Sequence, residues 1–260
     1  MLIRRLFRTA ALLVGLSTGS LDLHAQTRLD FGVYSVRSKP LVEASWRPFV
    51  DYLNKNLDDV EVRLHALDDA ELQHALAAGE LELLLTNPAH FIELRTSNRL
   101  SGAIATVVAD AGGQPSSEFG GVILVRAGDE RLRTLADLQG KRVGTTHANF
   151  LATYPAQALE IKDAGVDPGS LRMLMLQQSQ DSVVDAVLDA RVDAGFVRTG
   201  LLEALAAEGR DLSGLRVLHP LQHPGFPLLS STRLYPEWPL VALRQADPAL
   251  MRKVAALALG

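Results

Sequence analysis

Cysteine is absent from this chain. No disulfide, thiolate metal site or thiol nucleophile is open to it, so the fold has to rest on its hydrophobic core. A chain of 260 residues is long enough to build one. Aromatic residues make up only 5%. They do not interleave with a basic stripe of the kind that grips nucleic acid, which excludes that partner. Long apolar runs are also missing, apart from a short one near the amino terminus, so no second segment reaches membrane length. The chain carries no Gly-x-Ser-x-Gly, phosphate-loop, dinucleotide or His-Glu-x-x-His pattern. His65, His74, His219 and His223 lack metal-ligand spacing and read as surface or loop positions. The expectation is no metal, no cofactor and no nucleophile–base set, hence a protein that is not an enzyme.

What is present begins with Arg4, Arg5 and Arg8, an apolar run over 10–16, and the small residue Ala25 before Gln26. That is the layout of a secretory signal, its apolar run too short to span a bilayer well. Residues 1–25 are read as a signal peptide and the remainder as exported to the periplasm. A buried amino-terminal helix or an uncleaved anchor is the alternative. The formal charge is −4, and it becomes −6 once the signal has removed three arginines and one aspartate.

Strand and helix patterns alternate along the rest. Residues 29–33 read as a strand, and Trp46, Phe49, Val50, Leu53 and Leu57 fall on one helical face. Residues 60–64 suit a second strand. Asp68 and Glu71 have capping-box spacing, and Gly79 ends the helix they open. A buried strand over 81–85 leads to Asn87-Pro88, an N-cap followed by a first-turn proline. The second half repeats the theme, with strands over 120–126, 141–144, 172–176 and 194–197. Helical patterns cover 151–164 (apart from Pro155), start again near 179, and cover 201–207. Such alternation implies helices packed on mostly parallel sheets. An ungapped echo lays GELELLLTNPAHFIE (79–93) over ARVDAGFVRTGLLEA (190–204). It sets Glu82 over Asp193 and the corner residue Asn87 over Arg198, as two lobes of similar build require.

Ligands of open α/β sheets gather beyond the carboxyl ends of strands. Four polar corners lie at such ends: Tyr34-Ser35-Val36-Arg37-Ser38, Thr86-Asn87, Thr145 to Asn149, and Arg198-Thr199-Gly200. Each leads toward a helix pattern, whose unpaired N–H groups and partial positive charge suit an anion. The candidate ligand contacts are therefore Tyr34 and Arg37, Asn87 and His90 on one side. Thr145, Thr146, His147, Asn149, Arg198 and Thr199 face them from the other. For Thr146 and Asn149, simple helix capping is the competing reading.

Several segments carry a family resemblance: GVYSVRSKP, WRPFVDYLNKNL, ELLLTNPAHF, FGGVILVR, LADLQGKRV and DAVLDARVDAGFVRTGLLEAL, in that order. Through them, residues 28 to about 255 resemble the periplasmic solute-binding proteins of phosphate, phosphite and phosphonate transporters. SSTRLYPEWP (230–239) resembles a narrower branch, the sensory domains of membrane histidine kinases, tetrathionate sensors among them. The resemblance implies a type II-like fold of two α/β lobes joined by two crossover strands, near 118–120 and 226–231, with ligand closed between the lobes. Where the family's Ser-Thr-Ser-Gly-Tyr loop is expected, this chain has Thr146-His147-Ala148-Asn149-Phe150. Small hydroxyls and the glycine are lost, which puts phosphonate itself in question but not an anion.

The implied organisation is a first part of lobe 1 over 26–117, lobe 2 over 118–226, and a return into lobe 1 over 227–260. The family continues beyond such a return, so the expectation is a truncated chain. The implied function is capture of a small oxyanion, phosphonate- or phosphite-like or a sulfur oxyanion. The partner is either the permease of an ABC transporter or the transmembrane and signalling domains of a histidine kinase. An enzyme acting on a small anion on the same fold is the alternative.

Overall fold

The computed structural model describes residues 26–35, 38–97, 100–176 and 179–260. The predicted signal peptide and Arg37 lie outside these. The chain begins with β1 (Thr27–Tyr34), α1 (Lys39–Asn56), β2 (Val60–Leu67), α2 (Asp69–Ala78), β3 (Leu83–Leu85), α3 (Pro88–Thr96) and β4 (Leu100–Thr106). A hairpin of β5 (Ala109–Asp110) and β6 (Pro115–Ser116) precedes the first crossing strand, β7 (Glu118–Phe119). Next come β8 (Gly121–Arg126), β9 (Arg142–Thr145), α4 (Pro155–Asp163), β10 (Arg172–Met175) and α5 (Asp181–Leu188). They are followed by β11 (Ala194–Arg198), α6 (Leu201–Ala207), β12 (Leu215–Leu218) and the hairpin β13 (Leu221–His223) and β14 (Phe226–Ser230). The return runs through β15 (Tyr235–Pro236) to β16 (Pro239–Leu243) and α7 (Pro248–Ala258).

These elements form two lobes. The first lobe's sheet has the order β2-β1-β3-β16-β4, and the second lobe's has β10-β9-β11-β8-β12. In each, the first three strands are parallel and the last two pair antiparallel. The sheets are thus less uniformly parallel than the alternation suggests, because each takes in a strand that has crossed from the other side. The central strands are buried on both faces, as in the run Leu29 to Tyr34 and in Leu83 to Leu85.

The local signals act as expected. Asp68 accepts from the Glu71 amide at 3.0 Å and Glu71 accepts from the Asp68 amide at 2.9 Å, a complete capping box. Gly79 closes α2 at φ 69°, where a side chain is strained. The internal echo has a physical content. The Glu82 carboxylate accepts from the Asp30 amide at 2.8 Å while the Glu82 amide donates to the Asp30 carbonyl. Asp193 does the same to Arg142, at 2.9 and 2.8 Å. In each lobe the acidic residue before the third strand clamps the start of the first.

Two expectations shift. The helix over 151–164 begins only at Pro155. A proline disfavours helical backbone at the residue before it, and Tyr154 stands at φ −157°, ψ −57°. Residues 146–154 therefore run as turns. The return crossing falls at β15, which pairs with β7, and not over 226–231. The earlier segment stays on the second lobe because the Ser231 amide and the Ser231 and Thr232 hydroxyls hold it to β8 and β12.

The junction of β8 and α4 is tight. A Cβ placed on Gly121 would stand 2.3 Å from the amide nitrogen of Gln157. That side chain is fully buried and donates to the carbonyls of Ala152 (2.7 Å) and Val197 (3.2 Å). Gly121→Ala therefore has to displace both bonds. We expect a loss of about 2 kcal/mol in a urea unfolding titration, whereas Gly128→Ala, where the added carbon meets nothing, leaves the midpoint nearly unchanged.

Candidate ligand-binding site

The carboxyl ends of β1, β2, β9 and β10 face one another across a cleft of about 860 Å³. The first lobe contributes Tyr34, Ser35 and Ser38, with Asp68 and Asp69 from the start of α2. The second contributes Thr146, His147, Asn149, Phe150, Met175 and Ser179. Tyr34 is 3% exposed, yet it lines the cleft and its hydroxyl has no hydrogen bond among the described residues. The Ser35 hydroxyl is buried with no partner there either. Ser38 is the N-cap of α1, but its side chain makes no capping bond. Neutral donors thus collect at a helix start, an arrangement suited to an anion's oxygens.

The charges around them are balanced with care. Burial raises the Tyr34 phenol, and the Asp69 and Asp68 carboxylates raise it further, so the hydroxyl stays a donor. Burial lowers both His90 and His147, which keeps the imidazoles neutral. Lys39 pairs with Glu71 and lies 3.6 Å from Asp68.

The expected contacts divide into groups. Tyr34, Thr146, His147 and Asn149 share the cleft. His90 stands behind Tyr34, with ring centroids 6.4 Å apart. Its Nδ1 pairs with the Thr86 hydroxyl at 2.7 Å, and its Nε2 is buried without a partner. Asn87 caps α3 through the Ala89 amide at 2.9 Å, and the same oxygen accepts from the Leu151 amide of the other lobe at 3.3 Å. Thr145 is fully buried and gives its hydroxyl to the Thr153 carbonyl, so it cannot donate to a ligand.

Arg198 and Thr199 do not face Thr146. They line a separate cavity of about 250 Å³ against the crossing strands. The guanidinium is held there by Glu237, a carboxylate only 2% exposed, and lies 5.0 Å over the Phe119 ring. Thr199 accepts from the Gly120 amide at 3.1 Å and donates its own amide back at 3.0 Å. Both residues brace the crossing strands. Sequence reasoning selected Tyr34 and Arg37 from their corner and passed over Ser35 and Ser38, although these hydroxyls stand in the same five residues. It gave Asp68 only a capping role and missed the charge of Asp69. Glu237 left no local signal, being far from Arg198 in sequence. His65 and His223 are not free surface residues: they bond Asp30 at 2.7 Å and the Thr232 carbonyl at 2.9 Å.

The family model described as the periplasmic substrate-binding protein of phosphonate ABC transporters matches residues 31–260. The chain belongs to this family. A tetrathionate sensor histidine kinase of Salmonella typhimurium is 29% identical over 231 residues, covering 86% of this chain and 38% of that protein. A phosphate-import protein of Mycolicibacterium smegmatis is 26% identical over 182 residues, covering 66% of this chain and 55% of that one. The chain thus spans between about a third and just over half the length of these curated relatives. Among solved structures, a binding-protein component of an ABC phosphonate transporter from Pseudomonas aeruginosa superposes with TM-score 0.66 at 18% identity, covering 89% of this chain and 73% of that one. That likeness is one of fold: a two-lobed periplasmic binding protein.

Two outcomes follow from this geometry. Arg198→Ala strands the Glu237 carboxylate in the interior. We expect it to cost about 2–3 kcal/mol in thermal or urea unfolding, at the low end for a broken buried pair because Arg198 itself is 32% exposed. Adding Glu237→Gln to that variant restores part of the loss. The second concerns pH. His90 and His147 are depressed in the folded state, so the unfolded chain binds more protons below the ordinary histidine value of 6.5. Stability is flat just above that value and falls as pH drops from 6.5 toward about 5, before carboxylates titrate. A His90→Asn, His147→Asn double variant flattens this limb in urea midpoints measured against pH.

Proposed function

We propose that this chain is a periplasmic binding module that captures a small oxyanion, phosphonate- or phosphite-like or a sulfur oxyanion, in the cleft between its lobes. The observation that carries the reading is the Ser35 hydroxyl. It is buried, unpartnered among the described residues, and lies beside Tyr34 on a cleft whose far wall brings Thr146, His147 and Asn149. A buried donor without an acceptor is costly unless a ligand supplies one. Tyr34 and the start of α1 extend the same donor surface. Family membership supports the ligand class, and the two curated relatives carry one sulfur and one phosphorus oxyanion in their names.

In this reading the first lobe is 26–117 with the return after β15, and the second runs from 118 through Thr232. Export through residues 1–25 brings the module to the periplasm. Its partner is an ABC permease or the membrane portion of a histidine kinase, and the tetrathionate-sensor likeness, which covers more of the chain, supports the sensory role. The module is not an enzyme. The Thr86–His90 pair resembles a nucleophile with its base, but Thr86 is fully buried and out of reach of a substrate.

The test is a thermal-shift and calorimetric panel of methylphosphonate, phosphite, phosphate, sulfate, thiosulfate and tetrathionate. At least one is expected to bind saturably. At a hundredfold excess over its Kd it adds about 2.7 kcal/mol, which raises Tm by roughly 5–10 °C for a chain of this size. Thr146→Val is expected to weaken that anion about tenfold with little change in the ligand-free Tm. The reading fails if no oxyanion on the panel binds, or if binding ignores Thr146, Tyr34 and Ser35 alike.

A further inference from the structure

Residues 150–152 belong to the second lobe by chain position but to the first by packing. Phe150 and Ala152 are 7% and 3% exposed, and the apolar cluster that buries them is the one containing Tyr34, Leu85 and Trp238. The Phe150 ring stands edge-on to Tyr34 with centroids 4.7 Å apart. His147 approaches the same tyrosine at 6.3 Å, and the Leu151 amide reaches Asn87.

The segment is also stiff. Thr153 donates its hydroxyl to the carbonyls of His147 and Phe150, Thr145 donates to the Thr153 carbonyl, and Gln157 holds the Ala152 carbonyl. Pro155 keeps it from joining α4. A cross-braced loop of one lobe therefore inserts an aromatic side chain into the core of the other.

We infer that Phe150 is a built-in latch: the lobes of this chain rest closed without ligand, and the affinity and size limit of the cleft are set by the ring that Phe150 lays on Tyr34. This goes beyond the binding reading and can be tested without any ligand. Burial of one phenyl ring shifts a two-state opening equilibrium by on the order of ten- to a hundredfold. Ligand then enters a cleft already formed, where Thr146 and Asn149 stand on the same loop as the latch. Occupancy is felt through that loop and not through a large closing motion.

The absence of cysteine makes the test clean. Spin labels are placed on Ala44→Cys in α1 and Ala207→Cys in α6, both exposed, and their separation is measured by pulsed dipolar spectroscopy on the ligand-free protein. One narrow short-distance population is expected in the otherwise wild-type chain. In Phe150→Ser a longer population rises at least tenfold, while Phe150→Tyr, which keeps the ring, retains the short one. The inference is overturned if the ligand-free wild-type background is already open or broad, a result that needs no variant to fold. It is also overturned if a folded Phe150→Ser protein matches the wild type.

Discussion

Two five-stranded sheets meet across a ladder of two residue pairs, Tyr235 opposite Phe119 and Pro236 opposite Glu118. So short a ladder cannot fix an angle between lobes by its own hydrogen bonds. The fixing is done by side chains beside it. Arg198 lies on Phe119 and reaches Glu237; Arg233 reaches Glu160 at 2.8 Å and Asp163 at 2.5 Å; Thr199 and Thr232 bond the amides of Gly120 and Gly121. All these partners lie on the second lobe or on the crossing strands. The crossings are tied to the second lobe, and the chain enters the first at Trp238 and Pro239. There the Trp238 and Pro239 carbonyls accept from Val107 and Thr86. The two glycines explain the closeness of this seam: a Cβ on Gly120 would stand 2.9 Å from the Thr232 hydroxyl.

This division explains what the sequence makes legible. Caps, turn glycines and parallel strands are set by residues a few positions apart, so Asp68 with Glu71, Asn87 with Pro88 and the strand runs could be read directly. Even the weak echo of 79–93 in 190–204 reflects a real repeat, because Glu82 and Asp193 each clamp the strand beside them. The partition of the polar corners could not be read. Arg198 looks like an anion-binding arginine until Glu237, 39 positions away, is seen to hold it. Thr145 looks like a donor until the turns before Pro155 fold its acceptor back onto it. Each difference in placement comes from a tertiary partner that no local pattern announces.

The chemistry left in the cleft is correspondingly mild. Its donors are a phenol kept protonated, hydroxyls, and the His147 imidazole kept neutral by burial. Asp69 acts on that phenol and imidazole and on the His90 ring behind them. A strongly charged anion gains less here than in a site built on arginine forks, since every carboxylate nearby repels it across a short distance. Selectivity then comes from fit and from matching donor to acceptor, because a ligand that leaves Ser35 unpaired sacrifices a buried hydrogen bond.

That emphasis on fit gives meaning to the altered loop. Where the resemblance leads to the expectation of Ser-Thr-Ser-Gly-Tyr, this chain has Thr146-His147-Ala148-Asn149-Phe150, and α4 starts late, at Pro155. A helix start at Thr146 would offer amides to an anion and leave the opposite wall empty until a ligand arrived. Turns allow the chain to go further, and they carry Phe150 onto Tyr34 and Ala152 into the first core. The exchange trades backbone donors for apolar contact across the lobes. Closure then depends on burial, which salt and ligand charge hardly alter, and the polar corner is freed to discriminate among the anions that fit beside the ring.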